Sequence, residues 1–415
     1  DVTDQNQVVP AADVLKSKGK EYEGWLTAIN KELKQLFDKE ALTVIKKTKH
    51  SKDSTKAKAE GTRVATLPSQ LVFARKTDGR QKARMVICGN FAQEVFGEVS
   101  TSDLDPTILR FMLSWSTQFK ERLSCGKIDI STAFLNSPLP AGRKIYMMVP
   151  KLLVQLGLYQ EDDIFEVHKG IYGLREAPAM WASTRNDTLD HLQVDVDGKP
   201  AYLHQSGVHN SMWILTRDPP TQHHPSKVDH SGFWKDEKGL TRILTRTFDP
   251  SSVLALVGIY VDDLIVVSCR KSVTSAVFTA VQKLWKTSPP EYLEQDSKML
   301  FLGVRVQITS GGIKVFQPQY TRDMLTKLCG STNLSSRKTP VDADGFLSKP
   351  YQHADDPAET PNKETRKKKL QTAIGALLWL STRTRPDIAY AVSRMASGAT
   401  NAIPECERRR KHCLQ

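Results

Sequence analysis

Two strongly apolar runs, Leu254-Ala255-Leu256-Val257-Gly258-Ile259-Tyr260 and Leu264-Ile265-Val266-Val267, are separated by Val261 and two aspartates, Asp262 and Asp263. Apolar arms this close on either side of a short acidic break read as a β-hairpin with the Asp-Asp pair at its apex. Aspartate is depleted in strands and is almost never buried unpaired, so the placement needs a reason. A third carboxylate, Asp129, lies in another strand-like run, Gly126-Lys127-Ile128-Asp129-Ile130. Brought together, the three would offer hard oxygen ligands of the kind that suit Mg²⁺, which takes one or two carboxylates plus substrate phosphates. Two such ions roughly 4 Å apart clamp the attacking and leaving oxygens of a phosphoryl transfer. A solvated acidic turn beside an unrelated strand-edge aspartate satisfies the same spacing.

Charge narrows the partner class. The 415 residues carry a formal net charge of +13, which favours a polyanionic partner and says nothing about fold. Residues 31–90 hold 15 basic and 6 acidic side chains, and residues 361–415 hold 12 and 4, so the remaining residues have an acidic excess of 4. Basic flanks around an acidic centre suit a nucleic-acid cleft with metal at its floor. A single run such as Arg366-Lys367-Lys368-Lys369 reads by itself as a solvated face.

The six cysteines form no CxxC pair and read as reduced thiols of an intracellular protein. Cys406, His412 and Cys413 fall short of a four-ligand zinc site. No uninterrupted apolar run reaches about 18 residues, so a membrane span is not expected. Asp1-Val2-Thr3-Asp4 offers neither an initiating Met nor a signal pattern, and the chain is expected to be part of a longer polyprotein.

Periodicity sketches the elements. Trp25, Ala28, Ile29, Leu33, Leu36 and Phe37 share one helical face within residues 17–40. Lys46–Gly61 reads as a lysine-rich loop. Leu67–Ala74 and Ala83–Cys88 read as strands around a turn at Asp78-Gly79. Pro106–Phe119 reads as a helix with Asp105 as N-cap and Pro at its first position, followed by the Asp129 strand. Trp181–Leu192 is expected helical, 217–250 is expected to be a surface insertion, and Ser331–Lys369 reads as loop. Gln371–Leu380 and Ile388–Met395 read as helices.

Tyr260-Val261-Asp262-Asp263 resembles the Tyr-x-Asp-Asp box of reverse transcriptases, and Asp129-Ile130-Ser131-Thr132-Ala133-Phe134-Leu135 resembles the box that brings the third aspartate. Further stretches resemble the copia-type retrotransposon polymerases, in family order. They are Trp25, Ala28 and Glu32; Lys82-Ala83-Arg84-Met85-Val86 with Gly89 and Gln93; Ile145-Tyr146-Met147 with Pro150; Ile171-Tyr172-Gly173-Leu174-Arg175 with Ala177, Pro178 and Trp181. After the Asp-Asp box come Phe301-Leu302-Gly303-Val304, Gln319-Tyr320, Leu325, Ile374-Gly375 and Thr384-Arg385-Pro386-Asp387-Ile388. The blocks run from roughly residue 22 to residue 414.

The resemblance implies an α+β right-hand polymerase with an antiparallel-sheet palm. Its expected parts are a tail over 1–19, fingers over 20–125 and 151–195, palm over 126–150 and 196–308, and a mostly helical thumb and connection over 309–415, cut before a ribonuclease H. It implies RNA- or DNA-templated DNA synthesis from deoxynucleotides with two Mg²⁺ ions, for which Mn²⁺ can substitute. Asp129, Asp262, Asp263 and the carbonyl of Ile130 would hold the metals. Phe134 would be the steric gate against a ribose hydroxyl, with an ordinary core Phe as its plainer reading. Tyr172 and Gly173 would lie under the templating base or incoming nucleotide. Arg75, Lys76, Lys82 and Arg84 would meet the triphosphate, and Phe301, Leu302 and Gly303 would form the primer grip. Integrase, protease and ribonuclease H would be the polyprotein partners, in a cytoplasmic virus-like particle or the nucleus.

Three departures stand out. Ala74 stands where the family usually has a second basic residue, Ala179 where it usually has Arg, and Glu176 where it usually has Gln. The last two would weaken template binding, and with the long insertion they leave room for a decayed nucleic-acid-binding relic of the same fold. A Mg²⁺ nuclease would also use carboxylates but leaves the aromatic gate unexplained.

Overall fold

The computed structural model describes residues 7–76, 78–93, 99–118, 123–219, 233–235, 241–243, 252–335, 337–341, 363–400 and 403–414. The chain divides into two compact units, residues 1–292 and 293–415. Both mix helices with sheets, so the architecture is α+β.

A seven-stranded sheet dominates the first unit, in the order Glu291–Leu293, Ser124–Asp129, Asp263–Ser268, Val253–Tyr260, Met212–Thr216, Lys199–Gln205, Gln193–Val196. From Ser124–Asp129 to Gln193–Val196, every neighbouring pair is antiparallel. The central strands are buried almost end to end, Ala255 to Ile259 and Leu264 to Ser268. That explains why the sequence there is continuously apolar rather than alternating: the sheet is covered on both faces. Helix Lys271–Leu284 packs on one face, and Val257, Ile259, Leu264 and Val266 join its Val273, Val277 and Phe278 in a shared core. Gly258, on the opposite pleat, lies against Leu104 and Met112 from the segment that runs into helix Pro106–Ser116. Asp105 caps that helix as expected, its Oδ1 accepting the Thr107 N–H at 2.6 Å.

The first unit also holds two smaller sheets of three and four strands. One pairs Gln7–Val9, Ser69–Arg75 and Gln81–Ile87; the other orders Leu42–Lys46, Asp163–Val167, Arg143–Met148, Arg63–Leu67. Helix Gly19–Asp38 lies on them and buries Trp25, Ile29, Leu33 and Leu36, matching the sequence periodicity. One expectation fails nearby. Residues 46–61 are not a loop, because Lys47–Ala59 is helical. The stretch contains no proline or glycine between those bounds, and lysine and alanine are good helix formers. Lys56 and Lys58 in the last turn complement the helix dipole. Tertiary anchoring is slight: Ala57 is buried and the His50 ring meets Tyr146 edge-on at 4.5 Å.

The second unit contains the sheet Lys298–Phe301, Val304–Thr309, Gly312–Phe316 and helices Pro318–Cys329, Lys363–Arg383, Ala389–Gly398 and Ile403–Leu414. Met324, Leu370, Ile374, Leu377, Val392 and Met395 share its core. The loop reading of Ser331–Lys369 is corrected at its end, since the lysine run 366–369 is helical. Most of the expected insertion at 217–250 lies outside the described residues. Within it, Phe233–Lys235 pairs with Thr241–Ile243. All six cysteines are free thiols. No described helix is long and apolar enough to cross a membrane.

Candidate active site

The hairpin forms, with one adjustment. Tyr260 pairs with Asp263, so Val261 and Asp262 are the two turn residues and Asp263 begins the return strand. Asp263 is also the direct cross-strand partner of Asp129. Cross-strand partners point to the same face of a sheet, and like charges so placed repel. The register therefore sets two carboxylates against each other at the sheet end, with a third in the turn beside them.

The surroundings fix this end of the sheet firmly. The Asp262 carbonyl accepts the Ile130 N–H at 2.7 Å. Asp129 donates its N–H to Ser288 Oγ at 3.0 Å, and its carbonyl accepts the Ser288 N–H at 2.8 Å. Val261 has φ 54°, a left-handed conformation that costs a β-branched residue of order 1–3 kcal/mol. Its carbonyl accepts Trp181 Nε1 at 2.7 Å and Arg185 Nη1 at 3.3 Å, both from helix Ala177–Asp190. Its N–H donates to Asp103.

Burial and mutual repulsion push the carboxyls of the hairpin up. Burial is the first cause for Asp262 and Asp129 the second. For Asp263 burial again leads, followed by Asp262 and Asp129, and the group is pushed up to about 6. Among the described residues, no group of three or more His, Cys, Asp or Glu could hold a metal by itself. Asp129 and Asp262 with neighbouring backbone oxygen still fit a hard cation that takes few protein ligands and completes its shell from substrate. Buried like charges of this kind favour a cation among them.

Two of the four expected cations face these aspartates. The charges of Arg84 and Lys82 both act on the Asp262 carboxyl, Lys82 also feels Asp129, and burial followed by the neighbouring Arg84 charge lowers the Lys82 ammonium. The Arg84 guanidinium lies 4.6 Å from the centre of the Tyr172 ring. Tyr172 in turn meets Phe134 edge-on, with centroids 5.3 Å apart. Arg75 is engaged elsewhere, paired with Glu21 and 5.8 Å from the Trp25 ring centre. Lys76 closes the turn at the tip of its hairpin, its N–H donating to Arg80 O at 2.8 Å.

Phe134 sits on the short 3-10 helix Ala133–Asn136 rather than a strand, half-buried between the two cores of the first unit. Gly173 has φ 88°, and a Cβ there would stand 2.0 Å from the Ile87 carbonyl oxygen. Only glycine permits that approach, which lets Tyr172 O accept the Ile87 N–H at 2.9 Å and seats the tyrosine beside Arg84.

Phe301, Leu302 and Gly303 make a second tight hairpin, in the other unit. Leu302 has φ 52° and Gly303 φ 73°. Gln317 Nε2 donates to Gly303 O at 2.9 Å.

Two residues gain a role the sequence did not give them. Glu32 is buried and accepts the Met85 N–H at 3.0 Å, within reach of the Lys82 and Arg84 charges. Its position three residues after Ile29 and four before Leu36 was a readable signal, because a carboxylate on a buried helix face needs a partner. Glu176 needs a correction. It is not an added charge facing a template strand: its Oε1 accepts Arg143 Nη2 at 2.8 Å, and both side chains are buried. The departure is neutralised within the protein.

Residues 59–214 match the family model described as reverse transcriptase (RNA-dependent DNA polymerase). The matched stretch holds Asp129, Phe134 and Tyr172, while Asp262 and Asp263 lie beyond it and reach it through the sheet. The chain is 23% identical over 347 residues to the retrovirus-related Pol polyprotein from transposon TNT 1-94 of Nicotiana tabacum, covering 79% of this chain and 21% of that protein. It is 24% identical over 275 residues to the putative transposon Ty5-1 protein of Saccharomyces cerevisiae, covering 65% of this chain and 68% of that one. Two solved foamy viral protease–reverse transcriptase complexes with double-stranded DNA align over 94% of this chain. Their TM-scores are 0.41 and 0.40, with 13% and 15% identity and coverage of 47% and 56% of those chains. The chain thus spans about one fifth of the tobacco polyprotein it resembles, and its residues 59–214 are similar to a reverse transcriptase domain.

Proposed function

We propose that this chain is an RNA- and DNA-templated DNA polymerase that extends a primer with deoxynucleotides. The observation that carries the reading is the register that sets Asp129 opposite Asp263 with Asp262 in the adjoining turn. Like charges gathered at a sheet end, with Lys82 and Arg84 nearby, suit a site that receives a polyphosphate and divalent cations. Asp129 and Asp262, with the Ile130 carbonyl and more loosely Asp263, would hold two Mg²⁺ ions, or Mn²⁺ in their place. Such ions neutralise the phosphates and orient the reacting oxygens.

The primer 3′-hydroxyl attacks the α-phosphate, the bond to the β-phosphate breaks, and pyrophosphate leaves. Positioning and charge neutralisation supply most of the rate in such transfers. Lys82 and Arg84 bind the triphosphate, Arg84 held over the Tyr172 ring. Phe134, braced edge-on by Tyr172, excludes a ribose 2′-hydroxyl. The first unit would combine fingers with palm, and the second would act as thumb and connection. Longer polyprotein relatives motivate integrase, protease and ribonuclease H as partner activities.

The test is extension of an oligo-dT primer on a homopolymer RNA template with Mg²⁺ or Mn²⁺. Salt-sensitive template binding with no extension under either metal would leave the relic reading standing. Phe134→Val should admit ribonucleotides while retaining part of DNA synthesis. Unchanged sugar discrimination would make Phe134 core packing only.

A further inference from the structure

We infer that Arg185 and Asp103 form a positioning pair that grips the carbonyl and the amide of Val261 and thereby sets where Asp262 presents its carboxylate. The inference rests on the polymerase reading. Arg185 is only 1% exposed. Its Nη1 donates to Val261 O at 3.3 Å, and its Nε and Nη2 both donate to Asn186 Oδ1, at 3.2 and 3.0 Å. Asp103 takes the Val261 N–H and a Thr101 hydrogen bond, and it feels Arg185 and His209. Opposite charges therefore hold the acceptor and the donor of one residue.

That residue immediately precedes Asp262 and holds the left-handed turn. Trp181 Nε1 shares the same carbonyl, and Ile130 N–H takes the carbonyl of Asp262. Each of these contacts acts on the backbone of the turn and so sets the direction of the Asp262 carboxylate. Burying a guanidinium is costly, and packed apolar side chains stabilise such a place as well or better. A charged pair that addresses the backbone of a single strained residue is better explained by geometry than by stability. Neither residue touches the reacting atoms, so both act through Asp262.

Two readouts on the 415-residue chain separate positioning from simple support. The first is amide hydrogen exchange of the 257–266 hairpin without metal. The second is the split of kcat and KM for dTTP on poly-rA primed with oligo-dT. Arg185→Gln should speed exchange at Val261–Asp263 by about tenfold or more. It should lower kcat by about tenfold or more, with KM and template–primer Kd within roughly twofold. Arg185→Lys, which keeps the charge but not the fork, should recover part of kcat. Pairing Arg185→Gln with Asp103→Asn removes both charges and should restore the thermal midpoint without restoring kcat. This double variant decides the matter if Arg185→Gln does not fold.

Unchanged exchange in a folded variant, or kcat recovering together with thermal stability, would overturn the inference. A wild-type chain that extends no primer would defeat the polymerase reading, and the exchange arm would still decide the clamp.

Discussion

Two tight hairpins, one in each unit, solve the same backbone problem by different means. Leu302-Gly303 connects its strands with φ values of 52° and 73°, and glycine supplies the second at no steric cost. Its remaining support is modest, a Gln317 hydrogen bond and the Trp379 ring within ordinary contact of where a Gly303 Cβ would lie. Val261-Asp262 has no glycine. A β-branched residue takes the left-handed position, and Trp181, Arg185, Asp103 and Ile130 hold the turn in place. One turn is stable through local chemistry. The other is stable only because the fold over-determines it, with a valine at the left-handed place that glycine would suit better, next to the carboxylate of Asp262.

The largest expected effect separates chemistry from conformation at the first turn. Asp262→Asn, and equally Asp129→Asn, keep the side-chain shape but discard the charge. Either should lower metal-dependent extension by about a thousandfold or more, while template–primer binding persists and keeps its salt dependence. Residual extension near wild type from the Asp262 variant would remove that carboxylate from the mechanism. Asp263→Asn should show a smaller loss.

Next in size is Trp181→Phe, which removes the donor at 2.7 Å from Val261 O and keeps the ring. It should cost about 1–2 kcal/mol in chemical denaturation and slow extension. If stability and rate are both untouched, the first hairpin needs less outside help than this comparison requires.

Gly303→Ala should follow at about 1 kcal/mol, set by the positive φ, since Trp379 Cζ2 at 3.5 Å leaves room for a methyl group. A loss above about 3 kcal/mol would mean that the second turn is also held from outside. Smallest of all, Val261→Gly should change stability by less than about 1 kcal/mol, because relief of strain offsets the lost side chain. Calorimetry on the two glycine-related variants side by side gives the cleanest reading of local against tertiary support.

Much of this was legible in the chain. The helix of residues 19–38, the capped helix at Pro106 and the two arms around Asp262 follow from periodicity, a cap and apolar runs, which are local properties. The lysine-rich helix at 47–59 was not, because a polar segment without an apolar stripe gives no periodic signal even when its composition favours helix. The opposite error arose at Glu176, where departure from the family's usual Gln implied an added charge against a template strand. A buried Arg143, 33 residues away in sequence, cancels it.

The sequence by itself determined that three aspartates would sit at strand ends among apolar residues, because no polar alternative surrounds them. It also determined that an aromatic ring would follow Asp129 at Phe134. Only the tertiary structure decided the register that opposes Asp129 to Asp263, and which basic residues reach them. Lys82 and Arg84 lie near enough for their charges to act on them, while Arg75 turns to Glu21. It alone decided that Val261 would be held by groups from position 103 to position 185. Strand register and long-range charge pairing depend on which distant surfaces meet, and a residue's neighbours in sequence carry no energy term for that choice.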